Sequence, residues 1–143
     1  MTNKMKVSFL SISENEAFAR NVVSSFILNL NPTISELNDI KTAVSEAVTN
    51  AIVHGYPDGV GIIEIEAETK DNILHIKIKD AGVGIENLEK ALEPFYSSKF
   101  EEERSGMGFT IMKTFMDEVY VTSSINKGTI VSMSKQVLSK HAE

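Results

Sequence analysis

ISELNDIKTAVSEAVTNAIVHGY, residues 34–56, decides the fold. Leu37, Ile40, Val44, Ala47, Val48, Ala51 and Ile52 recur at three- and four-residue spacings, the period of a helix with one buried face. At roughly 100° per residue they form one stripe with Val44 near its centre. Glu46 and Asn50 are four apart and stack on one edge of the opposite side. Ser35 or Thr33 starts this helix, and Gly55 with Pro57 ends it. Val48-Thr49-Asn50 falls mid-helix, where Thr and Asn are poor formers. A carboxylate and a carboxamide on one face can orient a hydroxyl and hold a hard cation through oxygen. The solvated back of a core helix would carry the same two residues, so the pair alone is only a hint.

The rest of the chain bounds the alternatives. Its 143 residues make one domain with a substantial core, and its 42% hydrophobic and 24% charged content is that of a globular protein. The absence of cysteine excludes disulfides and thiolate metal sites, and His54, His75 and His141 lack zinc-ligand spacing. No apolar run reaches membrane-spanning length and no signal peptide opens the chain, so a cytoplasmic location without membrane attachment is expected. A net charge of −6 argues against direct nucleic-acid binding and suits a basic protein partner.

From the start, Val7, Phe9 and Leu10 read as a short strand at an edge or a dimer contact. Ser13 and Glu16 form a capping-box pattern before a helix carrying Phe18, Val22, Val23, Phe26, Ile27 and Leu30, which Asn31-Pro32 stops. Arg20 lies off that stripe and reads as a solvated charge. Residues 62–69 and 73–79 alternate apolar with charged, an acidic row facing a basic one, which makes an antiparallel hairpin with His75 on the solvent face. That strand runs into Asp80-Ala81-Gly82-Val83-Gly84. The glycines permit positive φ and close approach of a ligand, and the Asp can accept from an exocyclic amine such as that of adenine. A plain turn would use the same residues. A short helix over 86–92 ends at Pro94.

Residues 95–105, FYSSKFEEERS, have no period and lead into Gly106-Met107-Gly108. A loop of that length in a compact domain is functional or mobile. The helix after it, with Phe109, Ile111, Met112, Phe115 and Met116, therefore begins at glycines, where exposed N–H groups favour phosphate. Residues 118–124 and 129–135 close the chain as a second hairpin, and 137–143 form a flexible tail.

In this order, Glu-x-x-x-Asn on a helix, D-x-G-x-G after a strand, a loose loop and G-x-G opening a helix are specific as a set. The chain resembles the ATP-binding fold shared by gyrase, Hsp90, histidine kinases and MutL. Within that superfamily EAVTNAIVHGY, DAGVGI, RSGMGFTIM and the opening SENEAFAR are similar to the anti-sigma F factors of spore-forming bacteria, which are serine kinases. The resemblance covers nearly the whole chain. It implies a Bergerat-type α/β sandwich (α+β), with a mixed, mainly antiparallel sheet, helices on one face and a lid at about 94–106.

The same resemblance implies roles. Asn50 would ligate Mg²⁺ on the triphosphate, and Glu46 would be the general base for a substrate serine. His54 would belong to the nucleotide site, and Asp80 would bond the adenine amine beside Gly82 and Gly84. Ser105, Gly106, Gly108 and Thr110 would line the phosphates, with Lys99 and Arg104 as their cations. The family often has a second hydroxyl residue after Gly-Thr in the last strand, whereas Ile130 follows Thr129 here, so Thr129 is the candidate for completing the adenine contact. Arg20 would contact protein partners. The implied protein is a homodimer that binds ATP or ADP, holds a sporulation sigma factor and phosphorylates an anti-anti-sigma factor. Two rivals stand beside it. A histidine-kinase catalytic domain would need a phosphoacceptor His that the first helix lacks. A nucleotide-gated binding module without kinase activity would need no base at Glu46.

Overall fold

The computed structural model describes residues 2–93 and 108–138. Five strands form one open sheet in the order β1-β2-β3-β5-β4. They are β1 (Thr2–Leu10), β2 (Ile62–Lys70), β3 (Ile73–Asp80), β4 (Glu118–Ser124) and β5 (Gly128–Gln136). Every strand pairing among the described residues is antiparallel, so the parallel pair that a mixed sheet requires is not found there. The helices are α1 (Glu14–Ile27), α2 (Ile34–Asn50), α3 (Leu88–Ala91) and α4 (Gly108–Phe115).

Alternation assigns the two faces of the sheet. Ile63, Ile65, Leu74, Ile76 and Ile78 share one buried cluster with Val23 and Ile27 of α1, Ile40, Val44 and Val48 of α2, and Met112 of α4. Burying each such side chain contributes roughly 1.5–3 kcal/mol, so this face holds the layers together. On the other face Glu64, Glu66 and Glu68 stand opposite Lys79, Lys77 and His75, as the charge rows predict. Lys79 Nζ lies 3.1 Å from Glu66 Oε1. That hydrogen-bonded ammonium holds the Glu66 carboxyl below the usual carboxylate range, and Lys6 adds to the effect.

The first strand is longer than its apolar core suggests and forms an edge, with Lys4 and Lys6 facing Glu68 and Glu66 across β2. Lysines on an edge discourage further strand addition. Thr33 caps α2 from an extended backbone (φ −71°, ψ 162°), and Glu36 closes the reciprocal capping box. The capping box expected at Ser13 and Glu16 is absent. Ser13 already has helical dihedrals (φ −60°, ψ −30°), so its hydroxyl cannot reach back to the helix N–H groups and donates to Glu14 Oε1 instead. The short helix expected over 86–92 is confined to Leu88–Ala91, with Asn87 as its cap. Val137, at the start of the expected tail, is buried, and its N–H donates to Asn72 O at 2.7 Å.

Candidate functional site

The second helix positions two of the side chains. It keeps α pitch through Asn50 and then widens into a π turn over Ala51–Gly55, where Tyr56 N–H donates to Ala51 O at 3.2 Å. Thr49 and Asn50 are therefore at the end of the regular helix rather than in its middle. Poor helix formers occupy the place where the pitch changes, and such bulges are frequent at functional sites.

Glu46, expected on the side away from the core, is only 4% exposed. The helices α1 and α4 both pack against α2, whose outer surface is exposed at Asn38 and Thr42 but not at Glu46. Glu46 lies in a cleft shared with Arg20, Asn38, Lys41, Thr42 and Ser45. Arg20 is accordingly not an isolated solvated charge, and its Nε stands 3.2 Å from Glu16 Oε2 one turn away.

Asn50 is half-buried and faces the first residue of α4. A Cβ at Gly108 would come within 3.0 Å of Asn50 Nδ2 and 3.2 Å of Oδ1. A glycine there lets the helix terminus and its N–H groups approach the carboxamide closely. Thr110 is half-buried in the same turn, and His54 is half-buried in the π turn. A carboxamide oxygen beside a helix N-terminus suits phosphate oxygens and the hard cation they carry. Among the described residues no cluster of three His, Asp or Glu side chains could hold a metal by itself. Magnesium commonly takes one or two protein oxygens plus phosphate oxygens, so Asn50 fits that use.

Asp80 ends β3, half-buried, in register with Ile63 on one side and Thr129 on the other. Burial pushes its carboxyl above the usual range, while the N–H groups of Gly82 (3.0 Å to Oδ1) and Thr129 pull it back. A Cβ at Gly82 would lie 1.8 Å from Gly55 O, so this loop packs directly on the end of the π turn. Gly84 has φ +79°, as expected of a residue that turns the chain away. The Thr129 hydroxyl is 2.8 Å from Ser123 Oγ, which also accepts from Ile85 N–H at 2.8 Å. A second hydroxyl, absent after Thr129, thus stands beside it on the neighbouring strand.

Asp80, Gly82 and Thr129 form one cluster, with Gly84 in the same loop, while Glu46, Asn50 and Gly108 line α2. Lys99, Arg104, Ser105 and Gly106, and the whole of the expected lid, fall outside the described residues. Gly55, Tyr56 and Ser123 had no place in the sequence reading of the site. For Tyr56 the available signal was an aromatic residue between Gly55 and Pro57; Ser123 is indistinguishable in sequence from its neighbour Ser124. No helix of the described residues is long and apolar enough to cross a membrane.

Residues 13–135 match the family described as histidine kinase-like ATPase domain. An anti-sigma F factor from Clostridium perfringens (strain SM101 / Type A) is 59% identical over 138 residues, covering 96% of this chain and 99% of that one. One from Thermoanaerobacter sp. (strain X514) is 55% identical over 136 residues, covering 95% of each. Among solved structures, that of the RsbU and RsbW domains of a Mycobacterium tuberculosis protein superposes with a TM-score of 0.67 at 15% identity. That match covers 94% of this chain and 32% of the larger one. The catalytic domain of the histidine kinase ThkA gives a TM-score of 0.55 at 16% identity, covering 93% of this chain and 97% of that domain. At those identities the structures speak for the fold alone.

Proposed function

Because this chain belongs to the histidine kinase-like ATPase domain family and, within it, to the anti-sigma F factors, we propose that it holds a sporulation sigma factor and is an ATP-dependent serine kinase of the anti-anti-sigma factor. The observation that carries the kinase half is Glu46, a buried carboxylate opening onto a cleft one helical turn from Asn50. Nucleotide binding alone needs no base there.

Phosphoryl transfer asks a protein chiefly for positioning and charge stabilisation. In this reading Asp80 accepts from the adenine amine, with Thr129 and Ser123 completing that wall. Asn50 and the N-terminus of α4 at Gly108 and Thr110 hold the triphosphate, with Ser105 and Gly106 as further phosphate contacts and Lys99 and Arg104 as the cations that neutralise it. His54 supports the same site from the π turn. Asn50 would hold a magnesium ion, which would supply neutralisation of the triphosphate charge. Glu46 accepts the proton of the partner's serine hydroxyl as that oxygen attacks the γ-phosphorus and ADP leaves. Arg20, on the same cleft, meets the protein partner. The chain acts as a homodimer in the cytoplasm, and ATP or ADP in the site decides which partner is held.

The direct test is incubation with labelled ATP, Mg²⁺ and the anti-anti-sigma protein, with the labelled residue then mapped. Phosphoserine on that partner supports the reading. Nucleotide-dependent sigma binding without any transfer would leave a nucleotide-gated binding module.

A further inference from the structure

Tyr56 closes the π turn, and its hydroxyl makes two short hydrogen bonds. It donates to Ile62 O and accepts from Ala81 N–H, both at 2.7 Å. The ladder between β2 and β3 ends at the pair Ile63 and Asp80, so Ile62 and Ala81 are the next residues in register. The phenol oxygen stands between them, where a direct ladder bond would otherwise continue. It holds the strands apart by one oxygen at the point where the chain leaves the sheet for the 80–84 loop.

The surroundings leave this oxygen little freedom. The ring lies over Gly61, where a Cβ would be 2.2 Å from Cε1. The preceding residue, Gly55, accepts from Val83 N–H at 2.9 Å. Gly82 N–H is taken by Asp80 itself. The amides of 81, 82 and 83 are thus all engaged, two of them by consecutive residues at the end of the π turn. The Ala81 amide is the one directly bonded to Asp80, so holding it holds the backbone from which the carboxylate projects.

We propose that Tyr56 is a positioning residue that fixes the Ala81 amide, and through it the Asp80 carboxylate, and so sets the preference for adenine over guanine. The role rests on the reading of Asp80 as the acceptor for the adenine amine. In this role Tyr56 acts through Asp80 rather than by contact with base or phosphate.

The test is a double-mutant cycle on Tyr56→Phe and Asp80→Ala, with ATP and GTP affinities measured by calorimetry and Ala81 amide exchange monitored by NMR. Tyr56→Phe removes one oxygen and keeps the ring against Gly61, and thermal unfolding checks that the chain remains folded. The expected result is ATP binding weaker by about three- to tenfold, GTP binding little changed, and faster exchange at Ala81. In the Asp80→Ala background the second substitution should leave the ATP-to-GTP ratio where it was. Equal weakening of both nucleotides, an unchanged ratio in the single variant, or a further fall of the ratio in the double variant would overturn the positioning role. If Asp80→Ala alone leaves the ratio intact, the adenine reading itself fails, and the role of Tyr56 fails with it. An effect of Asp80→Ala without one from Tyr56→Phe removes Tyr56 alone.

Discussion

The Asp80 carboxylate rests on Gly55, so closely that a Cβ at 55 would come within 2.8 Å of its Cγ. The end of the helix that carries Asn50 and the end of the strand that carries Asp80 therefore share a contact surface without intervening side chain. The two halves of the candidate nucleotide site are fixed to each other by that contact.

Burial raises the Asp80 carboxyl above its ordinary value of 3.8. A folded-state pKa above the unfolded one means that the native chain keeps the proton to higher pH. Stability from this site is then present in acid and lost as pH rises through the folded pKa. Asp80→Asn should make the nucleotide-free protein more stable at neutral pH, with the gain vanishing below the unfolded carboxyl pKa. Thermal unfolding of both proteins across that range measures it, and a gain that persists in acid would point to packing instead.

The same carboxylate is the proposed reader of adenine. Asp80→Ala should weaken ATP and ADP alike by roughly 1.5–3 kcal/mol, the worth of one hydrogen bond to a charged group. Calorimetry with each nucleotide decides this. Full affinity for both would place adenine recognition elsewhere.

Asn50→Ala should abolish Mg²⁺-dependent ATP binding while the protein stays folded, because Asn50 lies outside the buried cluster. Gly108→Ala approaches the same point from the other side. Its new Cβ would press on the Asn50 carboxamide at 3.0 Å. The contact is with the end of a side chain, which can give by a few tenths of an ångström. The expected outcome is weaker ATP binding with the fold retained, and unaltered binding in both variants would remove the metal assignment.

Glu46→Gln keeps the size of the side chain but removes the basic oxygen. ATP affinity and sigma-factor binding should change little, while transfer falls by the ~10²–10⁴-fold associated with loss of a general base. Single-turnover transfer, with binding measured separately, tests this. Wild-type transfer would discard the base, and equal loss of binding and transfer would make Glu46 structural.

Much of the fold was legible from residue order. The apolar period of α2, the charge rows of β2 and β3, and the glycines after Asp80 each impose a local geometry that the fold respects. What escaped depended on neighbours distant in sequence. Period alone placed Glu46 off the core stripe, but it is buried at a cleft that it shares with Arg20 of α1. Ser13-Glu16 has the letters of a capping box without its backbone. The partnership of Tyr56 with Ile62 and Ala81 joins three segments and leaves no periodic trace.

The π turn over Ala51–Gly55 closes across five residues where an α turn closes across four. The extra residue is taken up inside the turn, so the chain on either side keeps nearly the facing that a four-residue α turn would give it. Deleting one of the residues before Gly55 and restoring ordinary pitch would leave Gly55 turned toward Asp80 and Tyr56 toward Ala81. The turn is thus a local reserve of length, which lets this segment carry one residue more than regular pitch would need between Asn50 and Gly55.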